Sequence, residues 1–156
     1  MKPETTLRFS EMPNPPQKIY FHNLQNPSFL KERKKLKIFI ENIFKMENKK
    51  LCALRYIFCS DDYLLKINRK YLQHDFYTDT ITFDLSEKNG VFGEIYVSVD
   101  RIKDNAFLFN SSFRNEIHRV IFHSALHLCG YEDKNMNKKK LMTKKEEFYL
   151  KQYFTK

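Results

Sequence analysis

Two hydrophobic periods divide the chain. "KIYFHN" (18–23) is a short apolar stretch that predicts a strand. Asn26-Pro27 then makes a good helix start, a capping side chain before a proline in the first turn. Leu36, Ile40, Ile43 and Phe44 follow at the spacing of one helix face, with Lys31, Lys34, Lys35 and Lys37 largely off it. "LCALRYIFC" (51–59) predicts a strand, and Asp61 can cap a helix carrying Leu64, Ile67 and Tyr71. "TDTITFDL" (78–85) alternates and is rich in β-branched residues, "EKNG" supplies turn chemistry, and "GEIYVSVD" (93–100) alternates most clearly. There Ile95, Val97 and Val99 share one face, and Glu94, Tyr96 and Ser98 the other. The two strands read as a hairpin. From about residue 101 the period is helical, with one helix over roughly 113–129, Gly130 where a helix end favours a left-handed residue, and a last helix over about 137–154. The order β-α-β-α-β-β-α-α-α predicts a single α+β domain over 1–156, with a small mixed β-sheet packed against helices.

Composition narrows the setting. With 42% apolar residues in 156, the chain can bury one core. A net charge of +9 suggests a polyanionic partner, nucleic acid or an anionic surface, although lysine also serves solubility alone. No apolar run approaches the ~20 residues of a membrane span. "MKPETTLRFSEMPNPP" lacks an apolar signal core, and its Pro-rich end reads as an extended lead-in. Three cysteines without a CxxC argue for a reducing compartment, the cytoplasm, and against a disulfide framework.

The chemistry concentrates in "HSALHLCGYED" (123–133). Residues four apart on a helix share a face, so His123 and His127 can point two imidazoles at one ion. Gly130 turns the chain, and Asp133 can return beside them. Two histidines and a carboxylate are a known catalytic zinc set, the fourth position being left to water. The spacing is that of the metzincin peptidases, whose HExxHxxGxxH places a glutamate base after the first histidine. Here Ser124 stands there, and a hydroxyl cannot hold a proton as a carboxylate can. The ligand helix is zincin-like, but peptidase chemistry lacks its base.

Three blocks together resemble a family. "HSALHLCGYED" resembles the HGxLHLxGYDH signature of the YbeY endoribonucleases, bacterial enzymes of rRNA maturation. "INRKYLQHDFYTDTITFDL" is similar to their LNxxYRxxDxxTDVLSFP stretch, and "GEIYVSVD" to their GDIxIS strand. The resemblance spans roughly residues 50–135, in order. It implies a metal-dependent endoribonuclease selective for single-stranded RNA, acting in small-subunit rRNA 3′ maturation and ribosome quality control. The implied ligands are His123, His127 and Asp133, holding one zinc ion, with nickel or another divalent metal as the alternative. The expected partners are single-stranded RNA, rRNA and the ribosomal small subunit; neither DNA nor a membrane is expected. Asp133 replaces a histidine of many members, which makes the site harder and more anionic. Leu72 stands where many members carry arginine; Arg69 is the candidate substitute cation.

Other residues carry weaker signals. His74, before a strand in the second block, is either a pocket residue near the metal or a polar loop cap. With Arg69 it is the candidate for a catalytic role. Glu116 is either an exposed or ion-paired residue or one that orients a ligand histidine. His118 is rotated off the ligand face and reads as structural, and Cys129 as a small core residue. Cys52 and Cys59 read as buried thiols on opposite faces of a strand; His22 has no companion. Lys138 to Lys140 read as a solvated face, and most aromatic residues as core. Two rival functions remain: a zincin-like metallopeptidase or other metallohydrolase, and a non-catalytic ribosome- or RNA-binding protein whose metal is structural and closed by a fourth protein ligand.

Overall fold

Strand β2 (Leu51–Cys59) forms the middle of the molecule, because nearly every residue in it is buried. A computed structural model describes residues 18–24 and 29–155. β1 (Ile19–Asn23) and β4 (Val91–Ser98) flank β2 in parallel, and β3 (Thr80–Asp84) pairs antiparallel with β4 at the edge. The sheet is four-stranded, mixed, in the order β1-β2-β4-β3. The helices are α1 (Arg33–Met46), α2 (Asp61–Ile67), α3 (Val99–Leu108), α4 (Phe113–Leu128) and α5 (Met136–Phe154). The element order is the expected one, and the architecture is α+β.

The main core lies between the sheet and α1, α4 and α5. Leu36, Ile40, Ile43 and Phe44 form the buried face of α1, as their spacing predicts. Leu54, Tyr56, Phe58, Ile95 and Val97 face them from the sheet. Tyr56 is fully buried and donates its hydroxyl hydrogen to the Ile121 carbonyl at 2.9 Å, tying the sheet to α4. A smaller cluster under α2 joins Ile57, Cys59, Leu64, Ile81, Phe83 and Tyr96. Because both faces of β4 are covered, its alternation does not separate core from solvent: Glu94 and Ser98 are as buried as Ile95.

Several boundaries move, for local reasons. α2 is capped by Ser60, whose hydroxyl accepts from the Tyr63 amide at 3.1 Å, and Asp61 lies in the first turn. α2 continues into a π-helical turn, Asn68–Leu72, ended by left-handed Gln73. β4 stops at Ser98 because that hydroxyl caps α3, so Val99 is helical. The strand expected over 78–85 narrows to Thr80–Asp84, and α5 starts one residue earlier than expected. Cys59 is buried as expected, but Cys52 is half-exposed at an irregular register in β2. The Pro-rich lead-in and Asn26-Pro27 lie outside the described residues; the described α1 begins after left-handed Glu32. Among the described residues, no helix is long and apolar enough to cross a membrane.

Candidate metal centre

α4 is the helix that carries the histidines. Ser112 caps it, its hydroxyl accepting from the Asn115 amide at 3.0 Å. From Glu116 to Cys129 every residue is buried except Arg119, His123 and His127. Their four-residue spacing makes one half-open stripe on an otherwise enclosed helix. The stripe ends in a Schellman turn. The Tyr131 amide donates to the Leu126 carbonyl at 3.1 Å and the Gly130 amide to the His127 carbonyl at 3.0 Å. Gly130 has φ +104°, which a side chain would strain. The turn sends the chain back along α4, and Asp133 arrives at the histidines.

Three ligand-type atoms converge there. Nε2 of His123 and Nε2 of His127 are 2.9 Å apart, and Oδ2 of Asp133 lies 3.6 and 3.5 Å from them. Bonds of about 2.0–2.2 Å to a tetrahedral ion set ligand–ligand edges of roughly 3.3–3.6 Å, so these donors fit a zinc-like ion with little adjustment. Among the described residues no fourth His, Cys, Asp or Glu joins the group, as a closed structural site would require. Glu132, one residue away, turns outward to Lys138. Burial pushes the Cys129 thiol up to about 12, and Glu47 adds to the shift, so it is an inert core thiol at neutral pH.

The other imidazole nitrogens are held from behind. Nδ1 of His123 meets Oε1 of Glu146 at 2.6 Å, and Nδ1 of His127 meets the Tyr131 carbonyl at 2.9 Å. Both acceptors require N–H on Nδ1, which leaves each Nε2 lone pair facing the common point. Burial lowers the His127 pKa, and His123 beside it lowers it further, so the neutral form needed for ligation is favoured. Glu146, on α5, is in turn held by Arg119 at 3.1 Å; Arg119 also grips Glu116 through two bonds of 2.7 and 3.0 Å and lies 3.6 Å from Asp79. Glu116 is therefore ion-paired, and the residue that orients a histidine is Glu146. Nothing local in the sequence marks Glu146, because it lies on a different helix.

The converging atoms open onto a cleft of about 460 Å³ between α4, the edge strand β3 and the segment that precedes it. His74, Asp79 and Thr80 are among its lining residues. Burial raises the Asp79 pKa from its ordinary value, against the opposing pull of Arg119. Ser124 does not face the cleft group: it is buried, bonded to the Val120 carbonyl at 3.0 Å and 3.1 Å from the Thr80 hydroxyl. It fastens α4 to β3 where a metzincin would carry its base. Arg69 pairs with Asp75 on the exterior and is not a lining residue. His118 is buried, bonded to the Arg114 carbonyl and stacked on Tyr153, a structural role as expected. His22 lies on edge strand β1, away from the group.

Comparison with known proteins points one way. A family model described as Endoribonuclease YbeY matches residues 21–154. A protein of Cytophaga hutchinsonii named Endoribonuclease YbeY is 45% identical over 133 residues, covering 85% of this chain and 93% of that one. A namesake from Parabacteroides distasonis is 40% identical over 127 residues, covering 81% and 88%. The solution structure of a Thermotoga maritima protein superposes with a TM-score of 0.63 at 33% identity, over 86% of this chain and 89% of that one.

Proposed function

The chain belongs to the YbeY family of endoribonucleases, hydrolases acting on RNA, and we propose on that premise that His123, His127 and Asp133 hold a divalent ion at which single-stranded RNA is cut. The observation that carries this reading is the convergence of two Nε2 atoms and one carboxylate oxygen at the head of a cleft, with both Nδ1 atoms engaged behind them. Zinc, or nickel or another divalent metal, supplies an acidified water or a polarised phosphoryl oxygen when bound. Glu146 and the Tyr131 carbonyl keep both imidazoles aimed. Asp79 and His74 both line the cleft, Asp79 as a carboxyl whose pKa burial raises. The +9 chain attracts the RNA backbone from outside the cleft. The biological substrate is the 3′ region of small-subunit rRNA, met on the ribosomal small subunit in the cytoplasm.

A peptidase reading lacks a carboxylate beside the first histidine, since Ser124 is spent on packing. The test is direct. Purified protein, with its metal content measured, is offered single-stranded rRNA fragments and casein. Cleavage of the RNA alone, abolished by chelator and restored by zinc, is expected. Chelator-sensitive proteolysis without RNA cleavage would overturn the reading.

A further inference from the structure

The cleft poses a problem of charge. Asp79, Asp84 and Asp133 line it, and among the described residues no lysine or arginine does. The two cations of the π-helical turn are engaged elsewhere: Arg69 pairs with Asp75, and the Lys70 ammonium lies over the Tyr71 ring, 5.2 Å from its centroid. Side-chain cations in the cleft therefore do not hold an RNA phosphate. The lining instead includes apolar and aromatic side chains from the segment before β3. Leu72 and Phe76 are 42% and 57% exposed, although both are large and hydrophobic.

Phe76 does not stand alone. The His74 ring stacks on it with centroids 5.1 Å apart and planes 20° from parallel. Both residues are pinned to one buried side chain's residue, Asn68, which is 1% exposed in the π-helical turn. The His74 amide donates to the Asn68 carbonyl at 3.2 Å, and the Asn68 side-chain amide donates to the Phe76 carbonyl at 2.9 Å. The backbone carrying two exposed, stacked rings is thus anchored at both residues. Rings ordered before a partner arrives lose little freedom on binding. Flat π surfaces of this kind bind nucleobases by stacking, with little dependence on sequence.

We infer that the His74–Phe76 stack is a nucleobase platform, on which one unpaired base of the substrate rests while its backbone passes the His123–His127–Asp133 group. The inference rests on the reading of this site as RNA-cleaving. It assigns substrate selection in this cleft to base faces. A base in a duplex has its faces occupied, so the platform also excludes paired RNA.

The chain contains no tryptophan, so Phe76→Trp installs the one indole, which red-edge excitation selects over the nine tyrosines. A single-stranded RNA oligomer should quench that fluorescence, while a ribose-phosphate oligomer without bases should not. In cleavage assays, Phe76→Ala should raise KM for single-stranded RNA about five- to a hundred-fold, more than it lowers kcat, and Phe76→Trp should restore it. Phe76 is exposed, so both variants should melt at the wild-type temperature. Equal quenching by the baseless oligomer, or an unchanged KM in Phe76→Ala, would overturn the platform. Quenching by an aromatic peptide but not by RNA would overturn it in favour of a protein ligand. Failure of the wild-type protein to cut any RNA reports instead on the reading beneath it, because the fluorescence titration still decides whether bases stack.

Discussion

His123 has a different partner on each ring nitrogen, and the two have separable effects. Replacing Glu146 by glutamine keeps its shape and removes the carboxylate that fixes the Nδ1 hydrogen. Metal affinity should fall about 10- to 100-fold, measured by competition with a chromophoric chelator. Asp133→Ala should purify metal-poor and inactive, whereas Glu132→Ala, which loses only a surface pair with Lys138, should keep its metal. The reverse result would reassign the third ligand. These residues were unequally legible. His123, His127, Gly130 and Asp133 lie within eleven residues of one another, and helical geometry converts their spacing into proximity. Glu146 and Arg119 meet only because α5 docks on α4, and no local period records that contact.

Among the elements, the end of α4 is fixed by how closely it approaches β4. A β-carbon added at Gly93 would lie 2.4 Å from the Leu128 side chain and 2.9 Å from that of Leu54, both buried. Gly93→Val should therefore destabilise the fold by about 1–3 kcal/mol, read from the denaturant midpoint. It should also weaken metal binding, because Leu128 follows His127 on the same turn. An unchanged midpoint would mean that the leucines yield freely. Elements with a strong period, such as α1, α4 and the β3–β4 hairpin, were readable in outline. The errors fell where a capping hydroxyl overrides propensity: Ser98 ends a strand that Val99 would have extended, and Ser60 takes the cap position that Asp61 suited.

Across the whole molecule, Glu47 joins parts far apart in sequence. At the C-terminal end of α1 it accepts from the Tyr131 hydroxyl at 2.6 Å, the Tyr149 hydroxyl at 2.5 Å and the Lys145 ammonium at 3.0 Å. Burial raises its pKa, but the donors from Tyr131, Tyr149 and Lys145 outweigh it, and the net shift is below the ordinary 4.5. A depressed carboxyl adds stability at pH values above that ordinary value and loses it as the pH falls through the depressed one. Glu47→Gln should thus be less stable than wild type at pH 7, and the gap should narrow on acidification below about 4.5, followed by thermal melts across a pH series. A gap independent of pH would show that the charge contributes nothing. The strand order was not legible at this scale, because the parallel pairs β1–β2 and β2–β4 join segments separated by whole helices.

The edge position of β3 has one further consequence. Thr80, Ile81, Thr82 and Asp84 line the cleft, and the outer side of this strand has no ladder neighbour among the described strands. An open strand edge is a template for self-association, through which identical chains extend one another's sheets. A protein that needs the edge accessible cannot bury it. Here the unpaired edge is only five residues long, it ends in Asp84, and every copy carries the same surplus of positive charge. Colloidal repulsion then guards the open edge, and concentrated salt, by screening that repulsion, should bring the chains together first along β3.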